Sequence, residues 1–146
     1  MKFIDLFAGL GGFHVALSSL GHECVFASEI NQTLANKYTE NFGIVVHGDI
    51  RHINVKDIPE HDILCAGFPC QPFSQAGKQR GLKDRKNGSY FINDVARILE
   101  YHRPRYFILE NVPHLKKHDR ENTWNAILNK LRLLDYDVKE TILSPH

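Results

Sequence analysis

The sequence predicts an open α/β sheet of parallel strands with helices on both faces, and three observations carry that prediction. Short β-branched and apolar runs alternate with segments whose apolar residues recur at helical spacing. The run DILCA, residues 62–66, is apolar almost throughout, which suits a parallel strand covered on both sides. The chemically suggestive residues fall just after the predicted strands, at the edge where ligands gather in such sheets.

Taken in order, Lys2 to Phe7 is a first strand, and GLGG breaks it before Phe13, Ala16, Leu17 and Leu20 mark the inward face of a helix ended by Gly21. ECVFASE, residues 23–29, is a second strand. Asn31 can cap a helix carrying Leu34, Ala35 and Tyr38, and IVVHGD, residues 44–49, gives a short third strand. DILCA is the fourth. After a loop from Gly67 to about Gly88, Phe91, Val95, Ile98 and Leu99 share a helical face, and YFILE, residues 106–110, is a fifth strand. Trp124, Ile127, Leu128, Leu131 and Leu134 form another helical stripe, and YDVKETIL, residues 136–143, closes the chain as a strand. No repeat, linker or low-complexity segment divides residues 1–146, so they read as one domain with no second.

Composition narrows the setting. At 42% hydrophobic and 24% charged, the chain has the make-up of a globular protein able to bury a core. It contains no run of about 18 apolar residues and no signal-peptide pattern, and its three cysteines are an odd number, so a cytoplasmic, reduced setting is expected. Cys24 and Cys65 sit in apolar runs as small buried hydrophobes. A net charge of +1 says little about nucleic acid, but Lys78 to Asn87 holds five basic residues against one acid, a local +4.

The predicted edge carries the chemistry. FAGLGG is a glycine turn that lets backbone approach a ligand closely, yet it is not the dinucleotide fingerprint, because His14 stands where a third glycine belongs. Glu29, at the end of the second strand, can accept hydrogen bonds from both hydroxyls of a ribose, and a nicotinamide or an adenosyl cofactor would fit equally. Cys70 heads a loop between Pro69 and Pro72, whose fixed φ values aim the sulfur in advance as a nucleophile. Glu110 ends the neighbouring strand; partly desolvated, it could share or donate a proton to a ring nitrogen. HLKKH places His114 and His118 four apart, but no third ligand lies near them, so a solvated loop is expected and no metal.

FIDLFAGLGGFHVAL, SEIN, GDI, AGFPCQPFSQAGK and FILENV, in this order, resemble the conserved blocks of the cytosine-C5 DNA methyltransferase family over essentially the whole chain. The resemblance implies a Rossmann-like methyltransferase sheet and S-adenosylmethionine, converted to S-adenosylhomocysteine, as cofactor. It places the backbone of Phe7, Gly9, Leu10 and Gly11 around that cofactor, Glu29 on its ribose and Asp49 on the adenine amino group. Ile30, Ile50 and Pro69 line the pocket, with Ile30 where family members often carry a stacking aromatic residue. It makes Cys70 the nucleophile that adds to C6 of a flipped-out cytosine in double-stranded DNA, and Glu110 the group that steadies N3 and the amino group. The basic loop resembles the mobile loop that closes over DNA, with Ser74, Lys78 and Arg80 as phosphate contacts. KNGSYFIND is one residue longer than the family pattern, which leaves a cofactor contact from Tyr90 unassigned.

The family pattern also continues past what is present: a further strand, a target-recognition domain and a returning helix. Residues 1–146 are therefore expected to form a partial catalytic domain, inactive alone, either as a fragment or as one subunit of a split enzyme. An unpaired sheet edge would be covered by a second polypeptide segment or a further copy. The bacterial or phage-type intracellular enzyme is one reading. A non-catalytic remnant that binds cofactor or DNA, an RNA cytosine-C5 methyltransferase and a nicotinamide-dependent oxidoreductase are the alternatives.

Overall fold

The computed structural model describes residues 1–68, 90–111 and 120–144. Five parallel strands, β1 (Lys2–Leu6), β2 (Glu23–Ser28), β3 (Val46–His47), β4 (Ile63–Gly67) and β5 (Tyr106–Glu110), lie in the order β3-β2-β1-β4-β5. The helices between them are α1 (Gly12–Ser19), α2 (Gln32–Phe42) and α3 (Tyr90–His102), and α4 (Arg120–Leu133) follows β5. Strand order reverses between β1 and β4, so the crevice that binds ligands in open sheets falls between the glycine turn after β1 and the cysteine loop after β4.

Side-chain alternation divides the core. Ile4, Leu6, Leu64 and Ala66 face Val95, Ile98 and Leu99 of α3 and Ile127 and Leu131 of α4. On the opposite face Phe3, Ile63 and Cys65 pack under Leu17 and Phe13 of α1, and Ala27 packs under Tyr38 of α2. Cys65 is fully buried and Cys24 half-buried, close to the expected small hydrophobes. The expected cap on α2 is present: the Asn31 side chain accepts from the Leu34 N–H at 3.1 Å, and Gly43 ends the helix in the left-handed region.

Two expectations are corrected. The inward face of α1 is narrower than its apolar spacing implies, because Leu20 caps the helix end and is 72% exposed while Ala16 faces solvent. Residues 136–144 form no strand. Tyr136 and Val138 still pack on the core, and the Tyr136 hydroxyl donates to the Pro104 carbonyl at 2.7 Å. A strand exists only against a partner edge, and among the described residues this segment has none.

On the α1/α2 face, register puts Tyr106, Ile108 and Glu110 beside Ile63, Cys65 and Gly67. Among the described residues, the apolar cover on that face stops at β4. Tyr106 is 49% and Ile108 42% exposed, and β5 is the outer strand of the described sheet.

Candidate active site

The turn after β1 is built from backbone that side chains avoid. Phe7 (φ +54°), Gly9 (φ +54°) and Gly11 (φ +90°) are all left-handed, and for Phe7 that conformation costs about 1–2 kcal/mol. At Gly11 a Cβ would lie 2.3 Å from the Phe42 ring, so only glycine fits there. Ala8 N–H donates to Ser28 O and Gly11 N–H to Ala8 O, which ties the turn to the end of β2. Leu10 stays 65% exposed at its tip.

Glu29 fastens this turn to the next one. Its Oε1 accepts from Gly9 N–H at 2.9 Å and its Oε2 from Asn31 N–H at 2.8 Å. Each oxygen keeps a lone pair, so a carboxylate held by two amides can still receive two hydroxyls. That geometry suits a ribose diol. Ile30 stands beside it, 66% exposed.

Asp49 is differently engaged. It caps the short 3₁₀ turn Ile50–His52, accepting from Arg51 N–H at 3.0 Å, and the Arg51 guanidinium grips both carboxylate oxygens at 2.5–2.9 Å. The Arg51 bonds hold its carboxyl below the usual range. An adenine amino group could reach Asp49 only by sharing or displacing one of those bonds. Ile50 is turned into the core, 3% exposed, and the Arg97 guanidinium donates to the Ile50 and Ile53 carbonyls and pairs with Asp94. No spacing rule connects Arg97 with a turn 47 residues earlier, so the sequence reading missed this brace.

Glu110 stands exposed at the end of β5, with its carboxylate above Gly67. A Cβ at Gly67 would come 3.4 Å from Glu110 Oε2 and 3.8 Å from the Phe13 ring, so that glycine makes room for the carboxylate beside the start of α1. The Asn111 side chain donates to the Phe68 carbonyl at 3.3 Å, joining the two loops just ahead of Cys70. Pro69, Cys70, Ser74, Lys78 and Arg80 lie outside the described residues, as do His114 and His118.

Beneath the turn lies a polar group that sequence reading placed in the core without its partners. Tyr38 is fully buried and donates to Asp5 Oδ2 at 2.9 Å, and His14 Nδ1 lies 2.7 Å from the same hydroxyl. Burial pushes the Asp5 carboxyl up to about 7, opposed by the Tyr38 bond and supported by the Glu29 charge. No helix among the described residues is long and apolar enough to cross a membrane.

Comparison with known proteins identifies the family. The model for C-5 cytosine-specific DNA methylase matches residues 1–145. The chain is 46% identical over 144 residues to the type II methyltransferase M.HhaI of Haemophilus parahaemolyticus, covering 99% of this chain and 43% of that protein. To M.HpaII of Haemophilus parainfluenzae it is 51% identical over 132 residues, 89% of this chain and 36% of the relative. The chain therefore spans less than half the length of these relatives. Among solved structures, a putative DNA modification methyltransferase encoded within an E. coli prophage superposes with a TM-score of 0.71 at 25% identity, over 90% of this chain and 38% of the other. A Spodoptera frugiperda DNMT2 mutant gives a TM-score of 0.70 at 27% identity, over 90% of this chain and 40% of the other. The five-stranded parallel sheet is thus a methyltransferase sheet, and the chain belongs to the C-5 cytosine-specific DNA methylase family.

Proposed function

We propose that this chain is the cofactor-binding and nucleophile-bearing part of an enzyme that methylates C5 of cytosine in double-stranded DNA. The observation that carries the reading is the shared edge: the left-handed Phe7–Gly11 turn, the Glu29 carboxylate and Glu110 over Gly67 all follow the carboxyl ends of parallel strands, at the edge from which the chain leaves β4 toward Cys70.

S-adenosylmethionine, when bound, supplies an electrophilic methyl group on a sulfonium. The turn's backbone and Glu29 would hold it, with Leu10 and Ile30 as apolar contacts. The Cys70 thiolate would add to C6 of a cytosine taken out of the stack, which makes C5 nucleophilic. Glu110 would hold N3 and the amino group through that addition. Removal of the C5 proton and expulsion of the thiolate would then release the methylated base. Ser74, Lys78 and Arg80 would contact phosphates, a sequence-independent grip.

The exposed Tyr106 and Ile108 and the outer position of β5 in the described sheet support a partner that completes the sheet, a polypeptide segment carrying the further strand and the recognition of the target. The type II methyltransferases among its relatives support a restriction-modification role in an intracellular setting.

Covalent trapping tests the reading. The chain is mixed with S-adenosylmethionine and a random-sequence duplex pool containing 5-fluorocytosine, with and without a polypeptide equivalent to the remaining part of a relative. The fluorine blocks the elimination step. An adduct that requires the added polypeptide and is lost in Cys70→Ser is the expected result. With a cognate site verified, absence of any adduct would support the non-catalytic module; transfer to RNA alone would move the substrate.

A further inference from the structure

Three polar side chains from three elements meet under the Phe7–Gly11 turn, where an all-apolar contact would have packed as well. Asp5 comes from β1, His14 from the first turn of α1 and Tyr38 from the middle of α2. Burying such groups is costly unless their hydrogen bonds are satisfied, and here they are joined in one chain. Phe42 completes the assembly: the His14 ring stacks on it at 3.9 Å between centroids, and the Phe42 and Tyr38 rings fill the space that a Cβ on Gly11 would take.

We infer that Tyr38 is a positioning residue for the cofactor turn, acting through His14 and Gly11 and responding to the proton on Asp5. The inference rests on the reading of that turn as the cofactor site. Tyr38 has one proton to give. When Asp5 is ionised, the hydroxyl donates to Asp5 and its oxygen accepts from His14 Nδ1–H. When Asp5 is protonated, Asp5 can donate to the hydroxyl oxygen, which then donates to His14 Nδ1, and the imidazole proton moves to Nε2. The same heavy atoms thus hold two proton arrangements. They end on the residue three places after Gly11, and the first α1 hydrogen bond, Val15 N–H to Gly11 O, runs through that turn.

The charges facing Asp5 are few. Cys24 on β2 and Cys65 on β4 are thiols, and Cys24 Sγ lies 3.8 Å from the Tyr38 hydroxyl. Glu29 raises the Asp5 carboxyl, and burial lowers the His14 imidazole below its ordinary value, so His14 stays neutral near pH 7 while Asp5 titrates. Both arrangements are therefore populated near neutrality. A cofactor hydroxyl bound to Glu29 would sit one carboxylate away from this switch.

The test uses the 146-residue chain, with amide NMR of Gly9 and Gly11 between pH 5.5 and 8.5 and titration with S-adenosylhomocysteine. In the wild type both amides shift with a midpoint near the Asp5 value of about 7. Asp5→Asn removes the shift. Tyr38→Phe, which keeps the ring, moves the midpoint upward and weakens S-adenosylhomocysteine at least about 5-fold, and His14→Phe, which keeps the stack on Phe42, gives the same upward move should Tyr38→Phe fail to fold. Amides that titrate in Asp5→Asn as in wild type, or affinities within 2-fold across the variants, overturn the inference. Failure of the cofactor reading looks different: the wild type then binds no S-adenosylhomocysteine, while the amide titration and its dependence on Asp5 persist.

Discussion

Among the described residues, the half of the sheet built on β1, β2 and β3 closes on itself, whereas the half built on β4 and β5 does not. In the first half, Glu29 is gripped by two backbone amides, Asp49 by Arg51, and Asp5 by Tyr38, all from within the chain. In the second, Glu110 stands exposed and Tyr106 and Ile108 face solvent below it. A cofactor subsite can be finished by local turns, because its ligands are backbone groups and short side chains on adjacent loops. A substrate subsite needs cover from elsewhere, since the base must enter from outside.

The two halves also bury titratable groups of opposite sign, which gives the largest expected effect. Folding raises the Asp5 carboxyl from 3.8 to about 7. Its contribution to stability is therefore fully present below pH 4 and is lost as pH rises through 7, a loss of up to about 4 kcal/mol at about 1.4 kcal/mol per pH unit. His61 at the start of β4 behaves oppositely. It is 4% exposed, its Nδ1 meets the Pro59 carbonyl, and its Nε2 has no partner among the described residues. Burial lowers its value, with His102 adding to the shift and Asp62 and Glu60 opposing it, so its contribution is present above 6.5 and is lost on acidification. Urea melts across pH should show Asp5→Asn gaining on wild type above pH 7, and His61→Phe flattening the acid limb. A wild-type profile flat from pH 4 to 8 would remove the distinction.

Next in size is Gly11→Ala. Strain at φ +90° adds to overlap with Phe42 and Tyr38, and a loss of about 3 kcal/mol in a thermal or urea melt is expected. Gly12→Ala, with open space around the added methyl, should stay within about 0.5 kcal/mol of wild type.

Much of this first half was legible in the sequence. Strand and helix alternation, the Asn31 cap, the glycine turn and Glu29 at the end of β2 all express local rules, each readable within a few residues. What escaped depends on distance along the chain. Tyr38 looked like one apolar position in a helical stripe, and nothing local pairs it with Asp5 33 residues earlier. The Arg51 grip on Asp49 is local but ambiguous, since an arginine two residues past an aspartate more often points to solvent. The last predicted strand failed for a tertiary reason: YDVKETIL has strand composition, and composition cannot provide a partner. Cys70, the most legible residue chemically, lies outside the described residues, so its role rests on family pattern, and trapping is its test.

Glu29→Gln gives a smaller effect than Gly11→Ala and separates cofactor binding from folding. A glutamine offers one acceptor oxygen, so its amide group would face either the Gly9 or the Asn31 N–H donor to donor. The expected result is about 10-fold weaker S-adenosylhomocysteine, about 1.4 kcal/mol, by calorimetric titration, with the melt of the chain moved by a similar amount or less. Unchanged affinity would mean that the two amides, not the carboxylate charge, set the ribose subsite.

The smallest effect on the chain itself belongs to Ile108→Lys, and it sharpens the comparison most. Ile108 is 42% exposed on the outer strand of the described sheet, so a lysine there can keep its stem on the strand and its ammonium in water. The melt should change by less than about 0.5 kcal/mol. Association with an added polypeptide equivalent to the rest of a relative should nevertheless fall steeply, because the same ammonium would then be buried without a counter-charge. Size-exclusion or light scattering reads the association and a melt reads the chain. A destabilised variant would mean that β5 is already covered, and an unaffected complex would place the partner away from this face. Loss of association with the fold intact would show that the unfinished half of the sheet is an interface, and that Glu110 becomes enclosed only when that interface forms.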